Sequence, residues 1–156
     1  MANKKSWKEK LHDSKDLPQV RPITEKMSKR WGRGTFVIPA PIEVDEIMRQ
    51  VPEGKLITIN EIRVNLAKKH GASVGCPMTT GIFAWIASHA ADEEAREGKK
   101  DITPYWRTLK SADVLNEKHP GGIDNIKYFL ESEGHRVIQK GKKWVVEDFE
   151  DSIFEM

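Results

Sequence analysis

The sequence feature that most constrains the fold is a pair of helical patterns joined by a short loop. A Thr-x-x-Glu capping pattern, Thr58 to Glu61, opens the first helix, which continues through "NEIRVNLAKK". The loop "HGASVGCP" contains two glycines and a proline. Apolar residues then recur at helical spacing from Met78 to Ala90, which predicts the longest helix of the chain, with Gly98 as its stop.

Other elements flank this pair. Before the pair, the sequence predicts a helix over 42–51 and a short strand over "LITI". After the pair, it predicts a helix in "GGIDNIKYFLESEG" and two strands around Lys-Gly in "HRVIQKGKKWVVED". A two-helix unit followed by a hairpin predicts a mainly α fold with a small β hairpin, which is the pattern of a winged helix-turn-helix. In that arrangement the helix that starts near Met78 would enter a DNA groove. Many small α+β domains give the same pattern, so that alternative stays open.

Charge divides the chain into a basic N-terminal arm (1–35), a body (36–147) and an acidic tail (148–156). Residues 1–40 carry ten Lys/Arg against four Asp/Glu, whereas 147–156 carry five acids and no base. The arm is therefore a candidate for phosphate contact, with a solvated tail as the alternative. Trp7 and Trp31 are predicted to anchor the arm against the body, with stacking on bases as the alternative.

Several classes of protein are disfavoured by composition. The chain has no run of about 18 apolar residues, so no membrane span is expected. The start, "MANKKSWKEK", lacks the apolar core of a signal peptide. The single cysteine, Cys76, excludes an internal disulfide, and no Cys/His cluster has zinc-site spacing. We expect a cytoplasmic monomer without metal or cofactor.

Two stretches resemble the DNA-binding domain of the O-alkylguanine-DNA alkyltransferases. "VPEGKLITINEI" is similar to the opening of that domain, and "PYWRTLKSADVLNEKHPGGIDNIKYFLESEGHRV" to the loop that carries the family's reactive cysteine and to the helix after it. The resemblance covers roughly 41–140. The positions that carry it are Gly54, Lys55, Thr58, Pro104, Arg107, Ser111, Gly121, Gly122, Leu130, Glu133 and Gly134.

The reactive residues of the family are replaced. Its alkyl-accepting cysteine falls at Tyr105 and its thiol-activating histidine at Trp106. The chemistry needs a thiolate, and a phenol with a pKa of about 10 beside an indole cannot replace it. We therefore expect no alkyl transfer. The chain looks similar in kind to the alkyltransferase-like proteins, in which tryptophan replaces the cysteine and which bind alkylated guanine in DNA and pass it to other repair pathways.

The resemblance implies a base pocket at the replaced loop. Its predicted members are Tyr105, Trp106, Arg107 and Glu133, with the rings as walls for a flipped base. For Glu133 the alternative is a cap or an ion pair with a base such as Arg136. Cys76 could act as the alkyl acceptor from a displaced position. The alternative is that it is a small, half-buried structural residue beside Pro77.

The resemblance also implies contacts with DNA. Ile59 stands where the family has a tyrosine, and Met78 lies near the position of the arginine that the family wedges into the duplex. The tract "HAADEEAREG" is an insertion relative to the family, and its four acids would oppose phosphate if they faced it. For Lys55, Thr79 and Thr80, surface solvation is the alternative to phosphate contact. The predicted DNA-contact residues are Lys55, Ile59, Met78, Thr79, Thr80 and, on the basic hairpin, Lys140, Lys142 and Lys143.

Three hypotheses of function follow. The first is non-catalytic binding of double-stranded DNA, with recognition of a flipped or alkylated guanine and repair proteins as downstream partners. The second is a protein-interaction module on a winged-helix scaffold, to which the acidic helix end and tail point. The third is an enzyme that uses Cys76 as the acceptor.

Overall fold

The predicted pair of helices forms in the computed structural model, which describes residues 5–110 and 112–156. Ser111, one of the positions that carry the resemblance, lies outside the described residues. Within these ranges the chain forms six α-helices and seven short β-strands. The elements are α1 Trp7–His12, β1 Gln19–Pro22, α2 Glu25–Trp31, β2 Thr35–Ile38, α3 Pro41–Arg49, β3 Ile57–Thr58, α4 Ile59–His70, β4 Val74–Gly75, α5 Pro77–Arg96, β5 Thr108–Leu109, α6 Gly122–Ser132, β6 Val137–Lys140 and β7 Lys143–Val146, with 3₁₀ turns at Tyr105–Arg107 and Phe149–Ser152.

Local signals set the ends of α4 and α5. The Glu61 N–H donates to Thr58 Oγ1 at 3.3 Å, and Glu61 Oε1 accepts from the Thr58 N–H at 2.9 Å, which completes the predicted capping box. Helix α4 ends at His70 and is capped by Gly71, whose φ of 66° is in the left-handed region. Helix α5 begins at Pro77, the favoured position for proline in a helix. With 20 residues, α5 is the longest described helix, as predicted.

The apolar stripe that predicted α5 is not the face that enters the core. In that stripe, 73% of the surface of Met78 and 45% of that of Ile82 are exposed. The buried stripe consists instead of small residues: Thr80, Ala84, Ala87, Ser88, Ala90 and Ala91. Helices α1 and α3 pack against α5, and small side chains let helix axes approach closely. Met78 and Ile82 are therefore left on the outer face, whereas Phe83 and Ile86 still pack against the edge of the core.

The sheets are more extensive than predicted. The hairpin of β6 and β7 is confirmed, with Val137 opposite Val146. Strand β2 pairs antiparallel with β1 and parallel with β4, and β3 pairs parallel with β5. The fold is thus mixed α/β with small sheets, and a mainly α description was too narrow. Strand β1 lies in a segment broken by prolines, and two-residue strands are too short to show alternation.

The arm and the tail both contact the body. Trp7 meets Trp85 edge-on with ring centroids 4.8 Å apart, and Trp31 meets Phe36 at 5.3 Å, which confirms the predicted anchoring. Strand β1 pairs with β2 across the boundary predicted at residue 35. At the other end, the Phe154 N–H donates to the Leu56 carbonyl at 2.8 Å. The division into arm, body and tail stays a prediction.

The core consists of two clusters that meet at the Tyr-Trp-Arg turn. One surrounds Met48, Ile62 and Leu66 and includes Tyr105. The other surrounds Leu109 and Leu130 beneath the hairpin. Trp106 packs against both clusters, so the loop in which the sequence predicted a pocket joins the two halves of the core. No helix in the described ranges combines the length and apolar character needed to cross a membrane.

Candidate nucleic-acid interface

Tyr105 is a core residue. Only 3% of its surface is exposed, and its hydroxyl accepts a hydrogen bond from Asn125 Nδ2 at 3.0 Å. Burial raises the pKa of Tyr105, so the phenol stays neutral. The prediction that this ring is the open wall of a base pocket was wrong, because Asn125 and the apolar cluster enclose it.

Trp106 is fixed by two partners on or next to α6. Its ring stacks on Phe129 with centroids 4.2 Å apart and planes 16° from parallel. Its indole Nε1–H donates to Glu133 Oε2 at 2.7 Å. With one face covered and its only donor used, the indole serves packing in this structure and not the predicted pocket.

Arg107 and Glu133 form a nearly buried ion pair. Arg107 Nη2 donates to Glu133 Oε2 at 2.7 Å and Nε to Oε1 at 2.9 Å, while Nη1 donates to the Val51 carbonyl at 2.7 Å. The Gly54 N–H also donates to Glu133, at 3.2 Å. Burial opposes ionisation of Glu133, but the hydrogen bonds from Arg107, Trp106 and Gly54 outweigh it and lower its pKa.

The four residues of the predicted base pocket therefore form a structural junction. They connect the turn after α3, the 3₁₀ turn and the end of α6. Glu133 is paired with a base, as the alternative stated, but the base is Arg107; Arg136 pairs with Glu147 at 3.3 Å. Their assignment to a base pocket is thus corrected, because their polar atoms are turned toward one another and the backbone.

A groove lies nearby, between the outer face of α5 and the segment that follows β5. Its volume is about 690 Å³, within the size range of ligand sites. The α5 side is largely apolar, and the other side carries amide and ammonium groups. The lining residues are Met78, Gly81, Ile82, Trp85, His89, Lys110, Asn116 and Lys118.

The N-terminal helix supports the apolar wall of this groove from behind. Trp7 contacts the edge of Trp85 and stacks on His89, with centroids 4.6 Å apart. Glu93, one turn further along α5, accepts from the backbone N–H groups of Trp7 and Lys8 at 3.0 and 3.2 Å. Helix α1 therefore helps to position the two aromatic side chains of the groove.

Basic residues extend from the groove to the hairpin. A second cavity of about 440 Å³ shares Lys110 with the groove and is also lined by Lys142 and Lys143. Lys110 pairs with Glu117 at 2.9 Å, and Lys118, Lys140, Lys142 and Lys143 are exposed. Two of the predicted hairpin lysines, Lys142 and Lys143, thus lie near the groove, whereas Lys140 lines a different cavity.

The other predicted DNA contacts have different environments. Thr80 is fully buried and its hydroxyl donates to the Cys76 carbonyl at 2.6 Å, so the predicted phosphate contact was wrong. The hydroxyl oxygen of Thr79 is also buried, and this orientation opposes the predicted contact. Lys55 is exposed in the turn before β3, and Ile59 is half-buried against the core.

Cys76 immediately precedes α5 and is 8% exposed. Its backbone N–H donates to the Val37 carbonyl at 3.0 Å, next to the pairing of β2 with β4. It is therefore more deeply buried than the half-buried residue that the alternative described. These contacts explain a structural role for the cysteine at the start of α5.

The acidic end of α5 is neutralised within the protein. Glu97 pairs with Lys8 at 2.7 Å, Glu94 with Lys99 at 3.2 Å, and Asp92 with Arg96 at 2.9 Å. These acids begin 14 residues after Met78, which is about 21 Å along a helix axis. They are distant from the exposed first turn of α5 and do not oppose a phosphate there.

Apart from Met78, sequence reasoning missed the seven residues that line the groove: Gly81, Ile82, Trp85, His89, Lys110, Asn116 and Lys118. One available signal was the run of alanine, serine and threonine at helical spacing on α5. A stripe of small residues on the same helix indicates a closely packed face, so the stripe with larger side chains is left for the surface. Asn116 had no such signal, because it lies in a loop.

Comparisons with known proteins show a shared fold. No protein-family model and no curated protein sequence matches the chain. The solved structures that match it include two crystal structures, S. pombe Atl1 in complex with damaged DNA containing O6-carboxymethylguanine and S. pombe ATL in complex with DNA. In each case the identity is 19%, the TM-score is 0.54, and the match covers 74% of this chain and 94% of the other.

Proposed function

We propose that this protein binds double-stranded DNA without catalysis and holds a flipped or alkylated guanine in the groove beside α5. One observation carries the proposal: an apolar groove with an aromatic side chain lies next to exposed lysines, in a fold shared with proteins crystallised on DNA. A base that leaves the stack needs an apolar or aromatic surface and a few edge contacts. Trp85 and Ile82 supply the surface, and Asn116 and Lys118 supply polar groups.

In this proposal the molecule acts as a winged helix. Helix α5 follows α4 after a short loop, and the β6–β7 hairpin is the wing. Met78, with 73% of its surface exposed at the start of α5, is placed to enter a DNA groove as an apolar wedge. Lys140, Lys142 and Lys143 on the hairpin contact phosphates, together with Lys118 beside the groove.

The proposal includes no alkyl transfer. The position of the family's acceptor cysteine is Tyr105, whose hydroxyl is engaged by Asn125 in the core. The only thiol in the sequence, Cys76, is buried before α5 and has no exposed approach of the kind reactive cysteines have. A bound base would therefore be held and left unmodified, for other repair proteins to process.

The test is a DNA-binding titration at stated salt. Fluorescence anisotropy compares duplexes that carry O6-methylguanine or guanine at one position, and we expect tighter binding of the modified duplex. Neutralising about four phosphates predicts a salt slope near −3.6 in log–log form. Equal affinity for both duplexes with a steep slope would refute base recognition and leave general DNA binding.

A variant pair links binding to the groove. Ile82→Glu places a carboxylate in the groove at a position that is 45% exposed, and we expect loss of DNA binding. Val64→Glu is the matched control, because Val64 is 53% exposed on α4 and lines a different cavity. Equal effects of the two changes would contradict the assignment of the groove. No DNA binding by the unaltered protein would favour a protein-interaction module.

A further inference from the structure

The amide of Asn116 has a defined orientation in the groove. The Lys118 N–H donates to Asn116 Oδ1 at 3.1 Å. A backbone N–H can only donate, so the atom that it meets must be the amide oxygen. The amide nitrogen Nδ2 is then on the side of His119, 3.4 Å from His119 Nε2.

His119 accepts from this amide. The imidazole is 2% exposed, and burial lowers its pKa from 6.5 to about 4, so the ring is neutral at physiological pH. Because Asn116 Nδ2 is a donor, His119 Nε2 must be the bare ring nitrogen that accepts. One of the two hydrogens of Asn116 Nδ2 is thereby used.

The second hydrogen of Nδ2 has no partner among the described residues. Asn116 lines the groove opposite the apolar face that Ile82 and Trp85 supply. A base lying against that face would present its Watson–Crick edge to the polar side. There Asn116 offers a donor whose orientation is set by Lys118 and His119.

We propose that Asn116 determines specificity by donating this hydrogen to the ring nitrogen N1 of the bound purine; this rests on the proposed function. In guanine and hypoxanthine N1 carries a hydrogen and would face Asn116 donor to donor. In guanine alkylated on O6, and in 2-aminopurine, N1 has a lone pair and accepts. Between guanine and its O6-alkylated forms, the groove thus selects the base with a bare N1.

The test distinguishes recognition of the ring nitrogen N1 from recognition of the alkyl group. Duplexes carry guanine, hypoxanthine, 2-aminopurine or O6-methylguanine opposite an abasic position, so that no Watson–Crick pair is lost when the base leaves the stack. We expect 2-aminopurine and O6-methylguanine to bind about tenfold more tightly than guanine and hypoxanthine, since a buried donor left facing a donor is costly.

Variants assign the preference to the amide. Asn116→Asp replaces the donor by an acceptor, so the preference should reverse toward guanine and hypoxanthine; Asn116→Ala should bring the four affinities together. Asn65→Asp is the control, the same chemical change on α4, where Asn65 donates to the Glu61 carbonyl. It should keep the original preference. Circular dichroism checks that each variant is folded.

Two results would overturn the inference, and they differ. If the protein prefers O6-methylguanine over both guanine and 2-aminopurine, and Asn116→Asp keeps that preference, the alkyl group is recognised and N1 is not. The proposed function would then survive. If the unaltered protein binds all four duplexes equally, the proposed base recognition fails and the inference fails with it.

Discussion

Replacement of Glu133 by glutamine tests whether the Tyr-Trp-Arg turn is held in place by a structural junction. The carboxylate side chain is 6% exposed and its partner Arg107 14%. Glutamine keeps the shape but removes the charge, and its nitrogen faces donors from Arg107, Trp106 or Gly54. Breaking a nearly buried pair from one side leaves an uncompensated charge, and such changes cost about 3–5 kcal/mol. Because Arg107 keeps its hydrogen bond to the Val51 carbonyl, we expect the substitution to lower the free energy of unfolding by about 3 kcal/mol, the lower end of that range.

The assay is urea unfolding at neutral pH, followed by tryptophan fluorescence and circular dichroism. Glu147→Gln is the matched control, because it breaks an ion pair whose side chains are 77% and 40% exposed; exposed pairs contribute about 0–1 kcal/mol. A loss below about 1 kcal/mol for Glu133→Gln would refute the reasoning.

The same ion pair predicts a dependence of stability on pH. The pKa of Glu133 is lower in the folded protein than its ordinary value of 4.5. As the pH falls, the unfolded chain therefore binds the proton first. The contribution of Glu133 is fully present above about pH 4.5 and is lost as the pH falls through the folded pKa. The difference in stability between the unaltered protein and Glu133→Gln should shrink over that acidic range.

Three further outcomes are expected. Because burial lowers the pKa of His119 to about 4 from 6.5, stability should decline as the pH falls from about 6.5 to 4, by up to about 3 kcal/mol; an unchanged decline in His119→Phe would contradict this. Trp7→Ala removes the support of Trp85 and His89, so it should cost about 2–3 kcal/mol in thermal or urea unfolding and weaken DNA binding; unchanged binding would argue against a role for α1 in the groove. Thr80→Val should cost about 1 kcal/mol and leave DNA affinity unchanged, since its hydroxyl bonds the Cys76 carbonyl; a large drop in affinity would restore the phosphate contact.

The elements that the sequence predicted well are those with local signals. The capping box of Thr58 and Glu61 joins residues three apart, and the hairpin turn joins neighbouring strands. Such interactions form between residues that are close in any conformation of the chain, so spacing is sufficient to read them. Strand β1 lacked this kind of signal, because its partner β2 lies beyond an intervening helix.

The burial of the Tyr-Trp-Arg turn depends on distant residues. Asn125 closes over the Tyr105 hydroxyl from 20 positions away, and Glu133 reaches Trp106 from 27. The sequence of the Tyr-Trp-Arg turn alone is compatible with a core or with a pocket, because both favour large aromatic side chains. Only the packing of α6 against the turn decided between them.

By itself, the amino-acid sequence determined the helix pair and the terminal hairpin. The tertiary structure decided which face of α5 is buried, and with it the position of the groove. The physical reason is that α5 carries two stripes, one small and one large, and both are apolar enough to enter a core. The close approach of α1 and α3 selected the alanine stripe, which left Ile82 and Trp85 to meet Asn116 and Lys118 across the groove.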